Sequence, residues 1–262
     1  MLRDAWRLAT GTLTALPVRP PEQVDRTRAA VAMALAPAAA LPLALVAGGI
    51  ALLGQLAGLP HLVTALLAVG AVVAGNRALH IDGLADTVDG MAASFDRERS
   101  LEVMKTGTSG PAGVTAIVLV LGLQVSATAA VLSGAAAGAG EVRAAVLVLV
   151  AVCVSRSALA LCCVRGVRPA RQDGLGRTFT QTVSPIVAGL VWVVSGAVLA
   201  AASWWAGVEW WRGAVAAVVA VVIVAAVLVR AMKRFGGVTG DVFGAAVEAA
   251  LATLLVTLST TG

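Results

Sequence analysis

Tyrosine is absent from the chain, phenylalanine occurs only four times, and charged residues make up just 13% of its 262 positions. So sparse a charge cannot clothe a soluble globular domain. The 59% share of hydrophobic residues and mean hydropathy of +0.93 instead put most of the chain in lipid. With few aromatic rings to interlock, Ala, Val, Leu and Gly carry the hydrophobicity, and membrane helices approach closely through such small residues. Cysteine is scarce as well. Cys153, Cys162 and Cys163 share one apolar run without metal-type spacing, so they read as small buried residues and suggest no disulfide framework. Around Arg3, Asp4 and Arg7 there is no cationic region followed by an apolar core and cleavage site, so no cleaved signal peptide is expected. The net charge of +5 has no soluble basic domain behind it, which argues against nucleic acid as a partner.

What the chain has in abundance is apolar runs. Stretches near 29 to 57, 61 to 79, 112 to 133, 144 to 164, 184 to 203, 213 to 231 and 242 to 260 are long enough to cross about 30 Å of hydrocarbon at about 1.5 Å per residue. The expectation is an all-α polytopic membrane protein of about seven helices, read as one domain over 1–262. The first run, with Pro37 and Pro42, is the one expected to kink or tilt. Lys and Arg fall on alternate connections: Arg3, Arg7, Arg19, Arg26 and Arg28 before the first span, Arg77, Arg97, Arg99 and Lys105 after the second. Arg165, Arg168, Arg171 and Arg177 follow the fourth, and Arg230, Lys233 and Arg234 the sixth. The other connections carry at most Arg143 or Arg212. Basic connections stay in the cytoplasm, so the N-terminus is expected there and the C-terminus outside. The Ala/Gly stretch from Gly134 to Gly140 reads as an external connector. Three polar, Gly-rich connections, 80 to 110, 165 to 182 and 232 to 241, then share one face and are expected to assemble a single site.

The segment from His80 to Gly90 carries Asp82, Asp86 and Asp89 at i, i+4 and i+7. On a helix Asp86 lies about 40° from Asp82 and Asp89 about 20° on the other side, so the three carboxylates share a face. At a membrane boundary they repel one another and resist desolvation, and a cation must balance them. Oxygen ligands without thiolates favour Mg²⁺ or Mn²⁺ over zinc, and such ions leave positions open for substrate phosphates. His80 sits roughly 160° round the helix, better placed to orient or admit a substrate than to ligate.

The pattern His80-x-Asp82-Gly-Leu-Ala-Asp86-Thr-x-Asp89-Gly90 resembles the signature of the cobalamin synthase family, the adenosylcobinamide-GDP ribazoletransferases. Leu16-Pro17-Val18, Asp96-Arg-Glu-Arg99 with Glu102-Val-Met-Lys105, Pro169-Ala-Arg171 with Gly174-Leu-Gly176, and Gly236-Gly-x-Thr239-Gly240-Asp241 extend the likeness in order over nearly the whole chain. One stretch departs: Thr106-Gly-Thr-Ser109 stands where the family commonly has an acidic or basic residue, while Lys105, Gly110 and Gly113 remain.

The resemblance implies joining adenosylcobinamide-GDP to α-ribazole or its 5′-phosphate, giving adenosylcobalamin or its 5′-phosphate and GMP. It places a multi-pass enzyme in the plasma (inner) membrane with its site facing the cytoplasm, and leaves a homo-oligomer open. On that reading Asp82, Asp86, Asp89 and Asp241 hold one or two Mg²⁺, Asp89 alternatively accepting the hydroxyl proton, and His80 is counted as catalytic. Arg97, Arg99, Lys105, Arg168, Arg171 and Thr239 are the candidate substrate contacts, Arg suiting bidentate oxygen recognition. Glu248, inside the last span, is expected to face a polar cavity and support Asp241 or cap a helix, and Arg156 to pair with an acid or reach the inner face. Trp204, Trp205, Trp210 and Trp211 read as interface anchors rather than a corrinoid pocket. A CDP-alcohol phosphotransferase or prenyltransferase would need differently spaced or duplicated Asp motifs. A cation transporter would need acids deep in several spans.

Overall fold

The computed structural model describes residues 1–136 and 140–260, so the middle of the connector expected over 134–140 lies outside the described residues. The chain begins with an amphipathic helix, α1 (Leu2–Leu13), docked on α2 (Arg26–Ala34). Asp4 fixes that docking by accepting the Glu22 backbone N–H at 3.2 Å and lying 3.3 Å from Arg28 Nε. The Glu22 N–H foremost, then Arg28, hold its carboxyl below the usual carboxylate range.

The apolar run from 29 to 57, expected as one span, is three helices: α2, α3 (Ala36–Ala39) and α4 (Leu41–Leu56). Pro37 and Pro42 each open a new helix, because proline has no N–H to donate and its ring crowds the preceding turn. At about 1.5 Å per residue α4 covers about 24 Å, short of a full crossing. α5 (His61–Gly75) and α6 (Leu79–Ala93) together pass for a span but meet at 86°. Arg77 and Ala78 make that bend in the left-handed region, at φ 59° and 56°. The bend turns the Asp-bearing helix off the line of α5.

A short helix, α7 (Arg97–Val103), is capped by Asp96, whose side chain accepts the Arg99 N–H. Beyond it come α8 (Pro111–Ala136), α9 (Gly140–Ser155), α10 (Ala158–Cys162) and α11 (Gly174–Phe179), then α12 (Pro185–Trp205), α13 (Trp210–Phe235) and α14 (Gly240–Ser259). Among the described residues, five apolar stretches are long enough to cross a membrane: 111–134, 140–162, 185–205, 210–235 and 240–259. The bent α5–α6 pair makes a sixth. The all-α polytopic class is as expected. The count of about seven is reached only if the short α4 is added, because prolines divide the run to which it belongs.

α14 is the axis of the bundle, packed by α6, α8, α9, α10 and α13. Small residues let it be approached so closely. A Cβ on Gly244 would come within 2.7 Å of the His80 carbonyl oxygen, contact that only glycine allows.

Candidate active site

The three polar connections do meet. Backbone pairing starts the assembly: Val238 N–H donates to the Arg168 carbonyl at 2.8 Å and Ala170 N–H to the Val238 carbonyl at 2.9 Å, locking the 165–173 segment onto the turn before α14. Arg97 ties in the third connection, its Nε donating to the Phe235 carbonyl at 2.6 Å and a terminal nitrogen to the Ala170 carbonyl at 2.8 Å. Arg171 donates to the Leu101 carbonyl at 2.6 Å, and Arg234 to the Met91 carbonyl at 2.8 Å. Arg97 and Arg171, which the sequence offers as phosphate contacts, are thus partly committed to backbone carbonyls, those of Phe235 and Leu101 lying in the last turns of α13 and α7, where a cation is favoured.

On this frame α6 presents its carboxylates beside the first turn of α14. Asp86 feels the negative charges of Asp82, Asp241 and Asp89, opposed by Arg171. Asp82 is exposed, Asp86 and Asp241 half-buried, and Thr239 Oγ1 donates to Asp241 Oδ2 at 3.0 Å. Asp89 differs. It is buried, and its two oxygens accept the backbone N–H groups of Gly110 at 2.6 Å and Gly113 at 2.8 Å, capping α8 from another helix. A side chain at Gly110 or Gly113 would overlap that carboxylate, which explains both glycines.

Among the described residues no three His, Cys, Asp or Glu side chains lie close enough to form a ready metal cage. Mg²⁺ seldom needs one, taking one or two carboxylates with waters and substrate phosphates. An oxygen-only donor set with unbalanced like charges, open on the Asp82 side, fits such an ion.

Of the remaining basic candidates, Arg99 pairs with Glu102 at 2.8 Å on the exposed face of α7 and Lys105 lies 3.8 Å from Asp173. Arg168 exposes its side chain, and Arg171 keeps its Nε unpartnered while facing Asp86 and Asp241. A cavity of about 250 Å³ opens beside Asp241 and Arg171, bounded by α1, α2, α6, α10, α11 and α14.

His80 lines that cavity and is backed by a buried polar cluster. Its Nδ1 is 3.6 Å from Glu248 Oε1 and 3.4 Å from the Asn76 side-chain amide, and Gln124 donates to Glu248 Oε2 at 2.7 Å. Arg156 is fully buried at the break between α9 and α10, bearing on Glu248 electrostatically and donating to the Val152 carbonyl and Ser155 Oγ. Glu248 therefore supports His80, not Asp241, and Arg156 does not reach the inner face. Asn76 and Gln124 were not singled out from sequence, although a lone amide in each of two apolar stretches was the available signal.

A family model described as cobalamin-5-phosphate synthase matches residues 5–259. The chain is similar to an adenosylcobinamide-GDP ribazoletransferase of Nocardioides sp., 49% identical over 97% of this chain and 98% of the relative. Relatives of the same name from Frankia casuarinae and Pseudomonas aeruginosa are 39% and 35% identical, over 95% and 98% of this chain and 92% and 100% of their own lengths. No solved structure matches the chain.

Proposed function

The chain belongs to the cobalamin-5-phosphate synthase family, and from that premise we propose that it acts as an adenosylcobinamide-GDP ribazoletransferase whose site is the meeting of α6 with the start of α14. The observation that carries the placement is the convergence of Asp82, Asp86 and Asp241 with Arg171 beside a cavity, built from three connections far apart in the chain.

In the reaction the 3′-hydroxyl oxygen of α-ribazole, or of its 5′-phosphate, attacks the phosphorus attached to the aminopropanol arm of adenosylcobinamide. The bond to the bridging diphosphate oxygen breaks and GMP leaves with that electron pair. Asp82, Asp86 and Asp241 would hold Mg²⁺, which when bound neutralises charge building on the diphosphate. Arg171, which lines the cavity and bears on Asp86 and Asp241, would contact the same oxygens, with the exposed Arg168 and Lys105 as further candidates. Thr239 holds the Asp241 carboxylate by its hydroxyl. Asp89 serves by capping α8, which keeps α6 in register beneath the other carboxylates. With Nδ1 turned to Glu248, the other ring nitrogen of His80 is left to take the hydroxyl proton.

Basic residues crowd this end of the molecule, which supports a multi-pass enzyme of the plasma membrane with its site in the cytoplasm. The test is GMP release by purified protein in lipid, given adenosylcobinamide-GDP, α-ribazole 5′-phosphate and Mg²⁺. The expected result is release coupled to cobalamin phosphate, abolished by EDTA and restored by Mg²⁺. Release that ignores chelation would remove the metal from the reading, and no release by folded protein would remove the activity.

A further inference from the structure

The cavity beside Asp241 and Arg171 has two unlike ends. Its rim carries the exposed Asp173 and the half-buried Arg171 and Asp241, whereas Leu13, Met33, Leu159, Phe179 and Phe243, all buried, form its inner wall. Those five come from α1, α2, α10, α11 and α14, so much of the bundle contributes to one apolar floor. The chain has only four phenylalanines, and two of them face this space. An aromatic-walled floor under a charged rim suits a ligand with a flat apolar ring at one end and a hydroxyl or phosphate at the other.

We propose that this cavity receives the base of the acceptor nucleoside, the dimethylbenzimidazole ring of α-ribazole lying between Phe179 and Phe243 and the ribose reaching the rim. The assignment rests on the ribazoletransferase reading and selects among the four ring groups that reaction brings together: the corrin, the adenine of the adenosyl group, guanine and the base of α-ribazole. The corrin macrocycle is too large for about 250 Å³. Guanine, and the adenine of the adenosyl group, carry several donors and acceptors on their edges. Thr12, His80 and Thr239 also line the cavity, but the five buried apolar walls of the floor would leave most of those groups unpaired, a loss far smaller for a benzimidazole with its single free ring nitrogen. The dimethylbenzimidazole ring matches both the size and the polarity. It also gives His80, on the same cavity, a position from which to meet the attacking hydroxyl. The wall further makes the site selective: a polar purine base in the acceptor is disfavoured relative to a benzimidazole.

The experiment measures equilibrium binding of α-ribazole, of the same α-riboside of unmethylated benzimidazole, and of GMP to protein in lipid, for wild type, Leu159→Phe and Phe179→Leu. Leu159→Phe fills the floor. It is expected to weaken α-ribazole about tenfold or more, the unmethylated riboside much less, and GMP not at all. Phe179→Leu, a smaller change that keeps the core apolar, is expected to weaken both ribosides several-fold and again spare GMP. Loss of GMP binding in place of riboside binding, or riboside affinities indifferent to both variants, would overturn the assignment. So would failure of wild type to bind α-ribazole. Binding without turnover separates the two readings: a wild type that binds α-ribazole at this floor yet releases no GMP sinks the transferase reading alone.

Discussion

Gly83 of α6 and Asp241 of α14 pack backbone against backbone, so that a Cβ on Gly83 would lie 2.6 Å from the Asp241 carbonyl oxygen. The obstacle is main chain, which cannot rotate away. Gly83→Ala is therefore expected to pry the start of α14 from α6, costing about 1–3 kcal/mol of stability and about 100-fold in GMP release. Gly189→Ala, where a Cβ meets nothing within 4 Å, is the control and should leave both unchanged. Thermal melts in lipid beside the GMP assay read the two together. Equal behaviour of the two variants would show that the α6–α14 crossing does not set the site.

The aspartates of α6 are expected to divide by their surroundings. Asp86 sits among like charges, so Asp86→Asn should abolish turnover while leaving the melting temperature of metal-free protein unchanged or raised. Asp82→Asn should behave similarly. Asp89→Asn turns one of the two accepting oxygens into an amide that faces a backbone N–H, and should lower stability by about 1–3 kcal/mol, the cost of leaving that buried donor unpaired. A stable but inactive Asp89→Asn protein would return Asp89 to the metal.

Two arginines flanking the site should separate in the same way. Arg97 spends its donors on the Phe235 and Ala170 carbonyls, so Arg97→Ala should loosen the connections and depress kcat and stability together. Arg171 has an unpartnered Nε beside the carboxylates. Arg171→Ala is expected to raise KM for adenosylcobinamide-GDP about tenfold or more, with Arg171→Lys recovering part of it. Steady-state kinetics on both substrates decide the point, and an unchanged KM would reduce Arg171 to a helix-end contact.

Much of this was legible in the sequence, for reasons the structure makes plain. The aligned Asp82, Asp86 and Asp89 follow from helix period alone, and basic residues on alternate connections placed three distant segments on one face. Hydropathy could not show that the chain bends by 86° between α5 and α6, because Arg77 and Ala78 carry no glycine or proline to announce left-handed backbone. The prolines did announce a break between α2 and α4, but not that it would divide the run into three. Asp89 looks like its neighbours until the chain returns 21 residues later with Gly110, a tertiary contact no spacing encodes. The same holds for Glu248, which meets Gln124 across 124 residues.

That buried cluster carries the sharpest stability prediction. Arg156 is fully enclosed, with Nε and one terminal nitrogen unpartnered, and Glu248 is the carboxylate that opposes it. Removing Glu248 alone leaves a buried cation without its counter-charge, so Glu248→Leu should cost about 3–5 kcal/mol. Adding Arg156→Met removes the stranded charge, and the double variant should recover much of that loss, a coupling of about 1–3 kcal/mol in a double-mutant cycle. Activity should not recover with it, since His80 keeps no carboxylate behind Nδ1. Strict additivity of the two substitutions would mean the pair is not coupled. Recovery of turnover along with stability would mean that the cluster holds the bundle together and has no part in orienting His80.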